Sequence, residues 1–309
     1  MNSKNNRYAL TAIIFVSLIS HTIFGQQTPT FSEYNYNPFI INSAYAGLTQ
    51  NTEISMSNSG FFNDFEGSPS SFSLSGHGQM NRGKVGVGAG IIRDKIGVTT
   101  STSFFAAYSY KIFFDFDSSR PYWQHYSPGV ISFGITGGVQ QYQDNLTELG
   151  IVNDPNFAQD INTTIPTIGL SFLFNHASFY AGFSAPNVMG NSLATNKDVK
   201  LSEPVYGYFG YRFLSDSFQN IMIKPNVLIK HEKGAPMQVD FNLAASFKNK
   251  FEIGAGYRTS SSVNLLAGLY LFNNLRFIYT YNVASNNSPL GNSHGLILSI
   301  QFKEGYAIN

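Results

Sequence analysis

Runs of about ten residues that alternate apolar and polar side chains recur down most of this chain, the period expected of strands with one greasy and one wet face. In 275–283, Leu275, Phe277, Tyr279, Tyr281 and Val283 share one face, while Arg276, Thr280 and Asn282 lie on the other. In 237–247, Met237, Val239, Phe241, Leu243, Ala245 and Phe247 oppose Gln238, Asp240, Asn242 and Ser246. In 251–259, Phe251, Ile253, Ala255 and Tyr257 oppose Glu252, Gly254, Gly256 and Arg258. The last run puts Leu296, Leu298, Ile300 and Phe302 outward, opposite Ser299 and Gln301.

Read this way, the chain yields fourteen strands, over 52–62, 70–80, 83–93, 99–113, 128–143, 165–175, 177–186, 205–214, 221–232, 237–248, 250–259, 262–272, 275–284 and 293–302. The even number and amphipathic runs predict an all-β fold, an antiparallel transmembrane β-barrel over 51–303 with a short tail at 304–309. A soluble propeller or sandwich also has many short strands, but it would gather its greasy faces into one core. The tight connections at Asn81–Lys84, Asn175–Ala177, Lys248–Lys250 and Phe272–Asn274 would fall at the periplasmic rim, and the long ones at 144–164, 187–204 and 285–292 outside. The segment 114–127 is long yet falls on the periplasmic side, against that rule.

The amino-terminal end reads as an export signal over 1–25. Lys4 and Arg7 precede an apolar core from Ala9 to Ser20, too short for a membrane helix, and Gly25 supplies a small residue for cleavage. The expected location is the cell outer membrane. The segment 26–50 lacks strand alternation, so it is expected at the periplasmic mouth or inside the barrel as a plug.

Composition fits this picture. Only 12% of residues are charged, far below the usual quarter, while 15% are aromatic; a wall facing lipid needs little charge and uses aromatics at its two interfaces. A net charge of +1 speaks against nucleic-acid binding. The absence of cysteine excludes disulfides and the lipid-modified cysteine of a lipoprotein, so membrane attachment must come from the fold.

Chemistry-bearing motifs are scarce. The glycine clusters at 86–90 and 134–138 have strand-like sequence on both sides and no helix after them, so they read as easing curvature and packing in a wall, not as a nucleotide loop. His77, His125, His176, His231 and His294 make no metal-ligand spacing with one another, and no Gly-x-Ser-x-Gly elbow occurs. No catalytic residue, metal or cofactor is expected, and the chain reads as a non-enzyme. Charge is concentrated at inward positions: Lys111, Arg212, Lys224, Lys230, Glu232, Asp240, Glu252, Arg258 and Arg276. These either pair and hold a plug or water, or line a lumen that grips a client.

Phe31-Ser32-Glu33-Tyr34-Asn35-Tyr36-Asn37-Pro38, followed by Asn42-Ser43-Ala44-Tyr45-Ala46-Gly47, resembles the opening of the PorP/SprF family, outer-membrane proteins of the Bacteroidetes type IX secretion and gliding machinery. The family pattern has Gln where this chain has Glu33, and a second Pro where it has Ser43. Phe65-Glu66-Gly67-Ser68-Pro69, Asp94 with Gly97, Tyr108-Ser109-Tyr110, Gly256-Tyr257-Arg258, Tyr279-Thr280-Tyr281-Asn282 and Ser293-His294-Gly295 are similar to further family positions. Asn282 and Gly295 stand where acidic residues are commoner. The resemblance implies a non-enzymatic barrel that supports secretion or surface attachment of clients, or ties the periplasmic motor ring to the outer membrane. The implied partners are outer-membrane lipid, secretion components and the carboxy-terminal domain of a secreted adhesin. Phe31, Tyr34, Tyr36, Asn37, Pro38, Asn42, Ala46 and Gly47 are the candidate plug or partner-binding residues. The competing function is a passive porin or hydrophobic-compound transporter, which composition and periodicity permit equally well. An open lumen would favour that transporter, and a plugged one the secretion role.

Overall fold

The computed structural model describes residues 32–49, 51–61, 67–114, 129–151, 154, 157–176, 178–189, 201, 203–214, 221–259, 262–284, 292–303 and 305–306. The expected export signal, Phe31, His125 and most of 114–127 lie outside these.

The wall consists of β1 (Glu53–Phe61), β2 (Ser70–Met80), β3 (Val85–Ile96), β4 (Thr99–Phe114), β5 (Gly129–Asp144), β6 (Ile161–Asn175), β7 (Phe179–Ala185), β8 (Val205–Tyr211), β9 (Phe213–Leu214), β10 (Ile221–His231), β11 (Gln238–Phe247), β12 (Phe251–Arg258), β13 (Ser262–Leu271), β14 (Leu275–Ala284) and β15 (Ser293–Gln301). All neighbours pair antiparallel, and β1 pairs with β15, so the sheet closes. Segments β8 and β9 are one stave: the register Asn226↔Gly210 resumes as Ile223↔Phe213 with no slip. The ladder lapses between them opposite Pro225, which has no N–H to donate. The barrel therefore has fourteen staves, and 205–214 is one of them.

The faces follow the alternation. Ile253 is 68% exposed and Phe241, Leu243 and Tyr257 are about half exposed, whereas Glu252, Asp240 and Arg258 are buried. Exposed aliphatic and aromatic side chains on a closed sheet form the belt that lipid requires, and closure leaves no free sheet edge facing lipid. At one rim Phe213, Phe247, Phe251, Phe272 and Phe302 form an exposed aromatic girdle. That rim carries the tight turns, where Lys248, Asn249, Phe272 and Asn273 hold positive φ; paired left-handed residues match the twist of hairpin strands.

Two strands depart most from their expected bounds. Strand β6 begins at Ile161 rather than 165, so part of the expected loop 144–164 is wall. Pro166 does not start the strand, because β5 continues alongside it to the pair Asp144↔Ile161. Strand β3 runs Val85–Ile96 rather than 83–93, because Asn81–Gly83 form a turn with left-handed residues.

Candidate functional site

The segment from Ser32 to Gly47 enters the lumen instead of joining the wall. It coils as three short 3-10 turns, Ser32–Asn35, Pro38–Ile40 and Ser43–Tyr45. Pro38 sits at the first position of the second turn, where its missing N–H costs nothing. Asn42 caps the third: its Oδ1 accepts from the Ala44 N–H at 2.9 Å. Tyr34, Tyr36, Asn37, Phe39, Ile40, Ile41, Asn42, Ser43, Ala44 and Ala46 are all buried.

What holds the segment is a set of small hydroxyls at inward wall positions. Ser109 Oγ donates to the Ala46 carbonyl at 2.8 Å, and Ser132 Oγ to the Ala44 carbonyl at 2.7 Å. Ser171 Oγ accepts from Ala44 N–H at 2.8 Å and lies 2.6 Å from Ser43 Oγ, at the position where the family pattern carries proline. Asn37 Nδ2 donates to Ser75 Oγ at 2.8 Å, and Asn42 Nδ2 to the Phe172 carbonyl at 3.0 Å. The Gly47 N–H donates to Nδ1 of His77 at 3.2 Å, which commits that ring nitrogen as an acceptor. A buried chain without regular structure needs such partners for each backbone group.

Apolar contacts fill the remaining space. Tyr34, Ile40, Ile41 and Ala44 pack against Leu173, Tyr206, Tyr208 and Leu228 of β6, β8 and β10. Phe39 packs with Ala46 and Ala107 and tilts against His77, ring centres 5.0 Å apart. The glycine clusters have a more specific role than curvature. A Cβ at Gly86 would strike the Ala46 carbonyl, and one at Gly134 would strike Ser43 and Ala44. Wall and segment touch there backbone to side-chain-free backbone. Gly47 has φ +57° and lies against the Gly78 carbonyl, a position that only glycine fits without strain.

The inward charges come together as ion pairs. Arg258 grips Asp240 with two nitrogens, Nε–Oδ1 3.0 Å and Nη2–Oδ2 2.8 Å. Lys230 pairs with Glu232 at 3.5 Å, Lys224 with Glu252, and Arg276 with Glu53 at 2.7 Å. Two of these pairs also hold the segment. Glu252 accepts from the Tyr36 hydroxyl and the Tyr270 hydroxyl, both at 2.8 Å. Arg276 donates to the Tyr36 carbonyl and lies between the rings of Tyr36 and Tyr306. Asn242, neighbour of Asp240's strand face, donates to the Tyr34 hydroxyl. Burial pushes the Tyr34 and Tyr36 hydroxyls well above their ordinary value, and Tyr45 up to about 12. Arg212 instead caps the β6–β7 turn, donating to the His176 carbonyl and Asn175 Oδ1, each at 3.0 Å, with its guanidinium over Tyr180. Lys111 faces inward and donates to Ser109 Oγ at 3.3 Å.

These contacts reach β2, β4, β5, β6, β8, β10, β11, β12 and β14, so the segment is held from most sides of the barrel. Above it, towards the long loops, lies a cavity of about 400 Å³ whose floor is Phe39–Ser43. Of the residues expected as plug or partner-binding, Tyr34, Tyr36, Asn37, Asn42, Ala46 and Gly47 are buried in the lumen and Pro38 is half-buried. Ser75, His77, Ser109, Ser132, Ser171 and Glu53 are not among the expected residues; their only signal is being small or polar at inward positions.

A closed, aromatic-girdled β-barrel filled by its own amino-proximal segment is a plugged barrel of the kind that spans outer membranes. The chain matches the type IX secretion system membrane protein PorP/SprF family over residues 23–300, and it belongs to that family. Among solved structures, the fold is similar to the outer membrane protein Omp33 of Acinetobacter baumannii, at 9% identity and TM-score 0.46 over 83% of this chain and 100% of that one. It is also similar to mutant porins of Rh. blastica, at 8–9% identity and TM-score 0.37 over 82% of this chain and 99% of those. No curated protein matches this sequence.

Proposed function

We propose that this chain is a non-enzymatic component of type IX secretion that supports the secretion or surface attachment of client proteins, and that it does not act as a diffusion pore. The observation that carries this reading is the plug. Segment 32–47 is seated by wall serines, by Glu252 and Arg276, and by glycines that leave room for its backbone. A wall shaped so closely to its own plug suits docking and handling of partners better than free passage of solutes. The serines and the histidine that touch the plug are spent on holding it, which agrees with a non-enzymatic role. The partners this reading names are components of the secretion machinery and the carboxy-terminal domain of an exported surface protein. The tight-turn rim is taken as periplasmic, which sets the plug on the periplasmic side, where it could meet motor-ring components.

The test compares the whole protein with a variant lacking residues 31–47. The whole protein is expected to be closed in planar bilayers. The variant is expected to fold as a heat-modifiable barrel, to conduct, and to lose display of exported proteins on the cell surface. Steady conductance through the intact protein, with export unaffected by loss of the gene, would favour the porin instead.

A further inference from the structure

The barrel is not level at its long-loop rim. Strands β4, β5 and β6 have 16, 16 and 15 residues, against 8 to 11 in β10 to β15. The extra length rises above the lipid belt, because its outer face is polar. Arg93, Lys95, Thr102, Gln141, Asn162 and Thr164 occupy the outward positions beyond Ile91, Phe104, Val139 and Ile168. The inner face of this raised wall forms one side of the 400 Å³ cavity, which the plug closes from below. The cavity is therefore an alcove on the long-loop side of the plug.

We infer that this alcove is a binding site for a short, extended stretch of polypeptide without acidic side chains, belonging to an exported client, an inference that rests on the secretion role proposed above. Three features point to that ligand. Its lining alternates hydroxyls and amides, among them Ser101, Ser103, Thr136, Gln140 and Thr167, with apolar surface from Ile92 and Phe105. Groups that both donate and accept, set at the two-residue period of strands, suit peptide N–H and C=O groups, and the apolar patches suit alternate side chains. Among the described residues Asp94 is the one charged side chain in the lining, so these residues offer nothing to neutralise an anionic segment.

The second feature is Ser184 on β7. It is 1% exposed, lines the alcove, and its Oγ has no hydrogen-bond partner among the described residues. Buried hydroxyls are rarely left so, and a ligand group in the alcove would satisfy it. The third feature is Leu201, from the connection between β7 and β8. Its side chain is seated in the alcove wall against Ile165, which is fully buried. A loop of this chain thus already places an aliphatic side chain on the surface where the client's would sit. The volume lies in the range of ligand pockets.

The experiment places the photo-crosslinker p-benzoylphenylalanine at Gln140 in the native host, with Tyr257 on the lipid face as control. Illumination is expected to give an adduct at Gln140 and not at Tyr257, mapping by mass spectrometry to one segment of an exported surface protein. The Thr136→Trp substitution, which fills the alcove, is expected to abolish that adduct and surface display together while the barrel stays heat-modifiable. An adduct only with lipopolysaccharide glycan, or none with an exported protein, overturns the inference even if the Trp variant fails to fold, because the Gln140 probe needs no filled alcove. A folded Trp variant that displays its client normally, in a host where loss of the gene abolishes display, overturns the alcove and leaves the secretion role standing. Normal display in the gene-less host overturns the secretion role itself.

Discussion

Arg276 on β14 reaches across β15 to Glu53 at the start of β1, 2.7 Å away, and the same guanidinium nitrogen donates to the backbone carbonyl of Tyr36 in the plug. One buried cation therefore ties the closing seam of the barrel to the segment that fills it. Ser299, on the stave between them, joins at 3.1 Å.

Removing Arg276 strands a carboxylate that is itself buried. Breaking one side of such a pair costs about 3–5 kcal/mol. Arg276→Ala is expected to lower the barrel's resistance to denaturant and to expose the plug to protease, measured by heat-modifiability and by cleavage near residues 32–47. The double change Arg276→Met with Glu53→Leu removes both charges and should recover much of the loss. A single Arg276→Ala as stable as the parent would show that the pair does not hold the seam.

The wall could be read from the sequence because lipid imposes a strict alternation, and β11, β12, β14 and β15 present the expected faces. The turn-bounded run 221–232 survives Pro225 because a proline costs a ladder bond, not a stave. Most of the partners inside the lumen could not be read. Asp240 and Arg258 face each other across the β11–β12 hairpin, a pairing that follows from its register, but Glu53 and Arg276 are 223 residues apart and meet only because the barrel closes. Ser109, Ser132 and Ser171 look like any small inward residue until the plug is placed against them. Ser299 illustrates the same limit. Its inward position suggests tolerance of a larger polar residue, yet it is fully buried and bonded to Ser55 and Arg276.

Gly134 and Gly137 lie three residues apart on β5 and face opposite sides. A Cβ at Gly134 would meet Ser43 and Ala44 of the plug, while one at Gly137 meets nothing within 4 Å. Gly134→Val is expected to displace the plug and open the barrel to ions, whereas Gly137→Ala leaves it closed. Single-channel recording of both purified variants decides this. Equal conductance in the two would mean that the glycine contact does not seat the plug.

Leu298 and Thr102 both point outward but lie at different heights. Leu298 pairs with Met56 and Phe277 within the apolar belt, while Thr102 lies on the raised wall beside Arg93. An arginine in the belt costs about 2–4 kcal/mol, and one near or above the interface about 0–1. Leu298→Arg is expected to impair assembly and Thr102→Arg to leave it intact, measured by the folded fraction in outer-membrane extracts. Comparable damage from both would place β4 entirely within lipid.

The orientation of the barrel is testable because the chain has no cysteine. Glu148 lies on the long-loop side, next to the exposed Leu149, and Lys248 lies in the tight β11–β12 turn. A cysteine replacing Glu148 is expected to react with an impermeant maleimide on intact cells. One replacing Lys248 is expected to react only after the outer membrane is opened. The reverse pattern would turn the barrel over and place the alcove in the periplasm.

The plug's tyrosines make its seating sensitive to alkali. Burial, followed by the Glu53 carboxylate, pushes the Tyr45 hydroxyl up to about 12, against about 10 for an exposed tyrosine. Tyr34 and Tyr36 are shifted in the same direction, again chiefly by burial. A group whose pKa is higher in the seated state than in the released one favours seating fully below the released value, and that contribution fades as pH rises through the seated value. The plug is therefore expected to stay seated up to about pH 10 and to loosen between about 10 and 12. Protease accessibility of residues 32–47 and tyrosinate absorbance, followed together in a barrel that remains heat-modifiable, report the transition. Tyr45→Phe removes one of the ionising groups and should move the midpoint upward. Release below pH 9, or a midpoint that Tyr45→Phe leaves in place, would show that ionisation of this buried hydroxyl does not control the plug.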